Sequence, residues 1–220
     1  MFDVIILMAG QGERTNLNYN KVFYPLDNIP IYQYSLKAFL SIPTCQNIIL
    51  VVHPDEIDLV SKHQDDRILV TTGGETRQDS VSKGMELVTS EYVLIHDGAR
   101  PNIKISDIIS VYEATKVNKA SVLAIPVTNT IKVSDNKYCI KTLDRKSLWA
   151  MQTPQGVKTH EFKEALNKAE SENYVGTDDV ELMEKYQNIP AKIVIGKPSN
   201  LKVTTEIDFK IIELLMKEGL

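Results

Sequence analysis

Six short apolar runs, separated by stretches of helical periodicity, leave this chain few architectures. Residues 2–8, 47–53, 67–71, 91–96, 120–125 and 191–195 are rich in Val, Ile and Leu and almost unbroken in apolar character. Strands buried on both faces of a parallel sheet have this composition. Between them lie helical faces. Ile31, Tyr34, Ser35, Ala38 and Phe39 share one, with Pro30 at its start. Ser80, Val81, Gly84, Leu87 and Val88 share another, and Ile108, Ile109, Tyr112 and Thr115 a third. Ile207, Ile211, Leu214 and Leu215 mark the last, begun through Thr205 and Glu206. Alternating strands and helices imply right-handed βαβ units, hence an α/β fold with a doubly wound, mostly parallel sheet. Ligands of such sheets bind beyond the carboxyl ends of the strands. The loops that follow the runs are therefore where chemistry is expected.

Residues 126–149 break the rhythm. Two alternating pieces, 130–133 and 138–142, flank Ser134-Asp135-Asn136-Lys137, which is good turn chemistry and predicts a β-hairpin. The expectation is one domain over residues 1–220 with a β-arm at about 127–150 projecting from it. An arm with few core partners packs against something, and a second subunit is the simplest candidate. A net charge of −4 gives no support for a nucleic-acid-binding surface. Cys45 and Cys139 are unclustered and make neither a zinc pattern nor a disulfide framework, so reduced thiols in the cytoplasm are expected. The N-terminus shows no positive leader, and its apolar segment is too short to span a bilayer.

Four loop clusters carry possible chemistry. Met8-Ala9-Gly10-Gln11-Gly12-Glu13-Arg14 follows the first run directly, with Lys21 beyond it. Small residues admit close backbone approach to a phosphate, and the two cations add fixed positive charge. The third glycine of the dinucleotide fingerprint and the Gly-Lys-Ser/Thr of a P-loop are both missing, and a plain tight turn is the competing reading. Gly73-Gly74-Glu75-Thr76-Arg77-Gln78-Asp79-Ser80 opens a helix on the same rim, where Arg77 and Ser80 can donate to a base or phosphate; an ordinary helix cap explains it equally well. His96-Asp97-Gly98-Ala99-Arg100-Pro101 ends a strand in a carboxylate suited to a divalent cation and a ribose hydroxyl. Arg100 suits bidentate phosphate binding, unless it merely pairs with Asp97. His96 is read as a hydrogen-bonded structural residue rather than an acid–base group. The fourth cluster is spread over residues 126–130, 142–145 and 152–155, where hydroxyls and Arg145 can hold a polyol phosphate. Later segments, 176–179 and 200–205, read locally as helix caps and a loop lysine.

In order and in combination, these clusters together with Leu143-Asp144-Arg145, Thr177-Asp178-Asp179 and Asn200-x-Lys202-Val203-Thr204 resemble the 2-C-methyl-D-erythritol 4-phosphate cytidylyltransferases over essentially the full length. The resemblance implies a doubly wound fold, homodimers formed through the β-arm, and transfer of a cytidylyl group from CTP to the polyol phosphate with release of pyrophosphate. It places Met8, Ala9, Gly10 and Gly12 around the CTP phosphates and Gly73, Gly74, Arg77 and Ser80 in the rest of the CTP site. It makes Arg14, Lys21 and Lys202 the catalytic cations, and gives Asp97 to magnesium, the ribose and the acceptor. Arg100, Thr130, Arg145, Thr153 and Thr177 complete the acceptor set, with Thr130 and Arg145 reaching a partner's site. Three positions depart from the family pattern: Asn20 where Pro is usual, Gly98 where Ala is commoner, and Asn129 where Asp is usual. Ribitol-5-phosphate cytidylyltransferases share the glycine loop and Thr-Pro-Gln, but Leu143-Asp144-Arg145-x-x-Leu148-Trp149 favours the methylerythritol enzymes. A non-catalytic nucleotide-binding regulator is the third reading, opposed by the retained cations.

Overall fold

The computed structural model of the chain describes residues 1–10 and 17–220. The order of elements opens with β1 (Phe2–Leu7), the short strands β2 (Pro25–Leu26) and β3 (Ile29–Pro30), α1 (Ile31–Leu40) and β4 (Cys45–Val52). It continues through α2 (Ile57–Val60), β5 (Ile68–Thr72), α3 (Arg77–Glu86), β6 (Tyr92–Asp97), α4 (Ile105–Asn118) and β7 (Ala120–Pro126). The arm strands β8 (Lys132–Ser134) and β9 (Cys139–Thr142) precede β10 (Trp149–Lys158), α5 (Thr159–Ser171), α6 (Asp179–Gln187), β11 (Lys192–Ile195) and α7 (Glu206–Lys217).

The central sheet runs β11-β7-β10-β6-β1-β4-β5. All of its pairings are parallel except those of β10, which lies antiparallel between β7 and β6. The apolar alternation of β1 divides the core. Val4 and Ile6 face a layer with Tyr32, Leu36, Phe39, Ile108 and Val111, from α1 and α4. Ile5 faces the opposite layer with Val81, Met85, Phe162, Leu182 and Met183, from α3, α5 and α6. Strands covered on both sides explain why the runs are continuously apolar.

Some expectations change. The last helix buries Phe209 and Ile212 against Leu26, Ile31 and Val203, while Ile207, Ile211 and Leu214 stand exposed. Of the predicted stripe Leu215 packs on this core and the other three residues lie on the outer face, because an apolar period of 3–4 fits either register when both faces carry Ile and Leu. Ile109 is likewise exposed on α4, where Ile108 and Val111 take the core. Residues 149–158, which show no continuous apolar run, form a full strand whose register shifts between Met151 and Gln155. The hairpin is present: Asp135 Oδ1 accepts from Lys137 N and Tyr138 N, and Asn136 takes φ 73° to close the turn.

Candidate active site

Parallel register brings the strand ends to one rim. Leu7 pairs with Val51 and with Asp97, and Val52 with Thr72. The loops beyond them enclose a cavity of about 850 Å³. Its walls include Met8, Ala9, Gly10, Lys21, Gly73, Gly74, Arg77, Ser80, Asp97 and Lys202. Every residue assigned to CTP from the sequence is thus on one cavity except Gly12, which with Arg14 lies outside the described residues. Arg100, Thr130, Arg145, Thr153 and Thr177 are not among its lining residues.

The glycines are needed for space. A Cβ on Gly73 would stand 2.3 Å from Ala9 Cβ, and one on Gly74 would stand 2.3 Å from Asp79 Cβ. The helix-cap reading of this cluster holds. Thr76 and Asp79 form a reciprocal capping box at the start of α3. One residue further on, the Ser80 hydroxyl accepts from Gly74 N (3.1 Å) and donates to Thr76 O (3.1 Å), shaping the cavity wall. Lys83, a turn beyond Ser80, donates to Gly73 O at 2.8 Å.

Asp97 is the electrostatic centre. Its Oδ2 lies 2.8 Å from Lys202 Nζ and 3.5 Å from Arg100 Nε, and its Oδ1 lies 3.8 Å from Arg77 Nε. Burial alone would raise its pKa, but Lys202, Arg77 and Arg100 outweigh this and hold the carboxyl well below the usual range. Arg77 in turn gives Nη1 and Nη2 to Asp179, at 2.8 and 2.6 Å. Asp179 is fixed by Gln155, whose Oε1 accepts from Asp179 N and Val180 N. Arg100 is buried and donates from Nη1 to Asn200 O, so pairing with Asp97 and bracing the lysine segment are what its guanidinium does. Val203 N donates to Ala99 O, and Asn200 Nδ2 to Thr153 O, which anchors the Lys202 loop on both sides.

Thr153 holds Asp97 rather than facing open space: its hydroxyl accepts from Asp97 N at 3.0 Å and meets His96 Nδ1 at 3.1 Å. His96 Nε2 faces Ser35 Oγ and Arg100 O at 3.3 Å each, and because a carbonyl oxygen only accepts, the ring proton is assigned to Nε2, leaving Nδ1 to accept from the Thr153 hydroxyl. His96 is fully buried against Phe39, and burial pushes its pKa down to about 4. It is a structural histidine, as its position on the strand suggested. A folded pKa below the unfolded one means stability is complete above pH 6.5 and falls as pH drops toward 4, by on the order of 3 kcal/mol. His63, also lowered by burial, acts in the same direction, whereas Asp97 loses its contribution only below this window. Urea unfolding across that range is expected to show the slope, and His96→Gln to remove most of it.

Thr130 and Arg145 are exposed on the arm, where Arg145 Nη1 donates to Thr128 O at 2.8 Å. Thr177 is exposed beside α6, with its N–H on Glu181. Asp179 and Gln155 stand in segments singled out from sequence but carry no individual role there, and Lys83 stands in none of them. The Asp178-Asp179 doublet reads as a helix cap, and Asp178 does cap Glu181 N; nothing local separates the capping carboxylate from the one that binds Arg77.

A parallel-sheet rim with a glycine-walled cavity and a carboxylate ringed by cations defines the class, a nucleotidyltransferase. The profile of the 2-C-methyl-D-erythritol 4-phosphate cytidylyltransferases (IspD) matches residues 2–218. The relative of that name from Bacillus velezensis is 38% identical over 97% of this chain and 95% of its own length. The one from Geobacillus thermodenitrificans is 37% identical over 98% of this chain and 96% of its own. The crystal structure of 4-diphosphocytidyl-2C-methyl-D-erythritol synthase from Anaerococcus prevotii superposes with a TM-score of 0.88 at 27% identity, covering 99% of this chain and 96% of that one. That of the Francisella tularensis cytidylyltransferase gives 0.83 at 30%, covering 97% and 98%. The chain belongs to the 2-C-methyl-D-erythritol 4-phosphate cytidylyltransferase family.

Proposed function

We infer that this chain transfers the cytidylyl group of CTP to 2-C-methyl-D-erythritol 4-phosphate and releases pyrophosphate, a step of non-mevalonate isoprenoid synthesis. The observation that carries this reading is the cation ring at Asp97 on a nucleotide-sized cavity, in a chain of this family. The acceptor's phosphate oxygen is already a nucleophile, so the reaction needs no strong general base. It needs in-line attack on the α-phosphate and charge stabilisation as pyrophosphate leaves. Lys21 and Lys202 supply the charge from the cavity walls, and Arg14, which lies outside the described residues, joins them by the family resemblance alone. Gly73, Gly74 and Ser80 present the surface for the base. Thr153 and Arg100 act by orienting Asp97 and the Lys202 loop.

Magnesium fits this donor set in one specific way. Among the described residues no group of three or more His, Cys, Asp or Glu side chains converges. Of the carboxylates that line the cavity among the described residues, Asp97 and Glu75, Asp97 is the one fixed among cations, with Oδ1 the less tightly paired oxygen. One carboxylate plus phosphate oxygens and water is a normal magnesium shell. Bound there, the ion would neutralise charge building on the phosphates.

We also propose that two copies pair through the arm, bringing Thr130 and Arg145 to the partner's acceptor site. Exposed Val133, Tyr138, Ile140 and Met151 support this. Light scattering is expected to give a dimer, and a monomer at working concentration rules the shared site out. Free Cys45 and Cys139 fit a reducing, cytoplasmic location. Among the described residues no helix is long and apolar enough to cross a membrane. Pyrophosphate release with CTP and magnesium is the test, run in parallel with methylerythritol 4-phosphate and ribitol 5-phosphate. Release with methylerythritol phosphate only is expected; release with ribitol phosphate only keeps the mechanism and moves the pathway.

A further inference from the structure

Asn20 precedes the cavity lysine, and its amide is fully engaged. It is 6% exposed. Nδ2 donates to Met8 O at 2.5 Å and to Glu56 Oε2 at 3.0 Å, while Oδ1 accepts from Val22 N at 3.3 Å. These partners fix the amide's orientation, because the flipped form would set its oxygen against a carbonyl and a carboxylate. One side chain thereby ties three walls of the cavity: the end of β1, the turn that carries Lys21, and the turn after His53. The backbone of Asn20 takes φ −65°, the value a proline ring imposes. Asparagine here keeps a proline-like path and adds a side-chain donor that proline lacks. Gly98 completes the seat, since a Cβ there would stand 2.9 Å from Met8 Cγ and 3.0 Å from Leu7 O. Two of the departures from the family pattern therefore meet on one residue, Met8.

We propose that Asn20 is a positioning residue for the nucleotide, holding the Met8 carbonyl so that residues 8–10 and Lys21 keep a fixed spacing around the triphosphate. This rests on the reading of the cavity as the CTP site. Asn20→Ala is expected to lower kcat/KM for CTP about tenfold, with the KM of the polyol phosphate at saturating CTP held within about twofold. Asn20→Asp keeps the oxygen that caps Val22 but turns the donor into an acceptor facing Met8 O, so it is expected to be impaired at least as much. Adding Glu56→Gln to Asn20→Asp restores a donor–acceptor pair between those two residues without restoring the Met8 bond, and this double variant is expected to stay impaired. Wild-type behaviour of Asn20→Asp would reduce Asn20 to a cap and overturn the proposal. So would full recovery in the double variant, or equal losses toward both substrates in step with a lower melting temperature. If the wild-type protein binds CTP without releasing pyrophosphate, the reaction assignment fails. The order of the variants is then read from CTP affinity by calorimetry, which tests the proposal separately.

Discussion

Lys202→Met is expected to lower turnover by roughly two to three orders of magnitude while the protein stays folded. The ammonium lies 2.8 Å from Asp97 on a side chain that is 38% exposed, so removing it opens no core, and the buried Asp97 keeps Arg77 and Arg100 beside it. The effect comes from charge balance. Arg77 is also committed to Asp179 and Arg100 to Asn200 O, which leaves Lys202 the cation around Asp97 best placed to turn to an anionic substrate. Without Lys202 the charge growing at the α-phosphate loses a nearby cation. The loss should fall on kcat more than on the KM of CTP, because the interaction strengthens as charge develops. Single-turnover rates beside a melting curve decide it: a folded variant with unchanged turnover refutes the role.

Asp97→Asn should act on stability as well as rate. It leaves three cations facing one another around a neutral amide, and removing one partner of a buried pair costs about 3–5 kcal/mol. The lower end applies here, since Arg77 and Lys202 are each about one-third exposed. The sign of the rescue is the sharper test. A bound triphosphate returns negative charge to the cluster, so CTP without magnesium should raise the melting temperature of the variant more than that of the wild type. Thermal denaturation with and without CTP measures this. A variant of unchanged stability, or one that CTP stabilises less than wild type, would show that Asp97 does not balance these cations.

The frame of the molecule was legible because strands covered on both faces must be apolar throughout, and β1, β4, β6 and β7 are. Their loops gave the cavity for the same reason, since register alone carries Met8, Gly73 and Asp97 to one rim. Partner choice among polar groups was less legible. Arg77 shows equal aptitude for a phosphate and for a carboxylate, and its carboxylate, Asp179, lies about a hundred residues away in sequence. Strand β10 was hidden by Pro154 and by a polar Gln-Thr-Pro-Gln stretch whose side chains find buried partners only in the folded chain. The face of α7 was misread because Ile207, Ile211 and Leu214 form as regular a stripe as the one that packs. Thr130, Arg145 and Thr177 do not line the Asp97 cavity, and the proposed pairing of two copies is what would bring Thr130 and Arg145 to one.

The contact between Gly73 and Ala9 also governs how this protein can change over generations. The two positions lie on different loops, yet the atom that one lacks would overlap the atom that the other has. A larger residue at Gly73 would need both Ala9 to shrink and the Ser80 hydroxyl, 2.9 Å from the same Cβ, to turn aside. Variation at Gly73 is therefore conditional on Ala9 and Ser80. Descendants of this sequence can reshape that part of the cavity only along an ordered path.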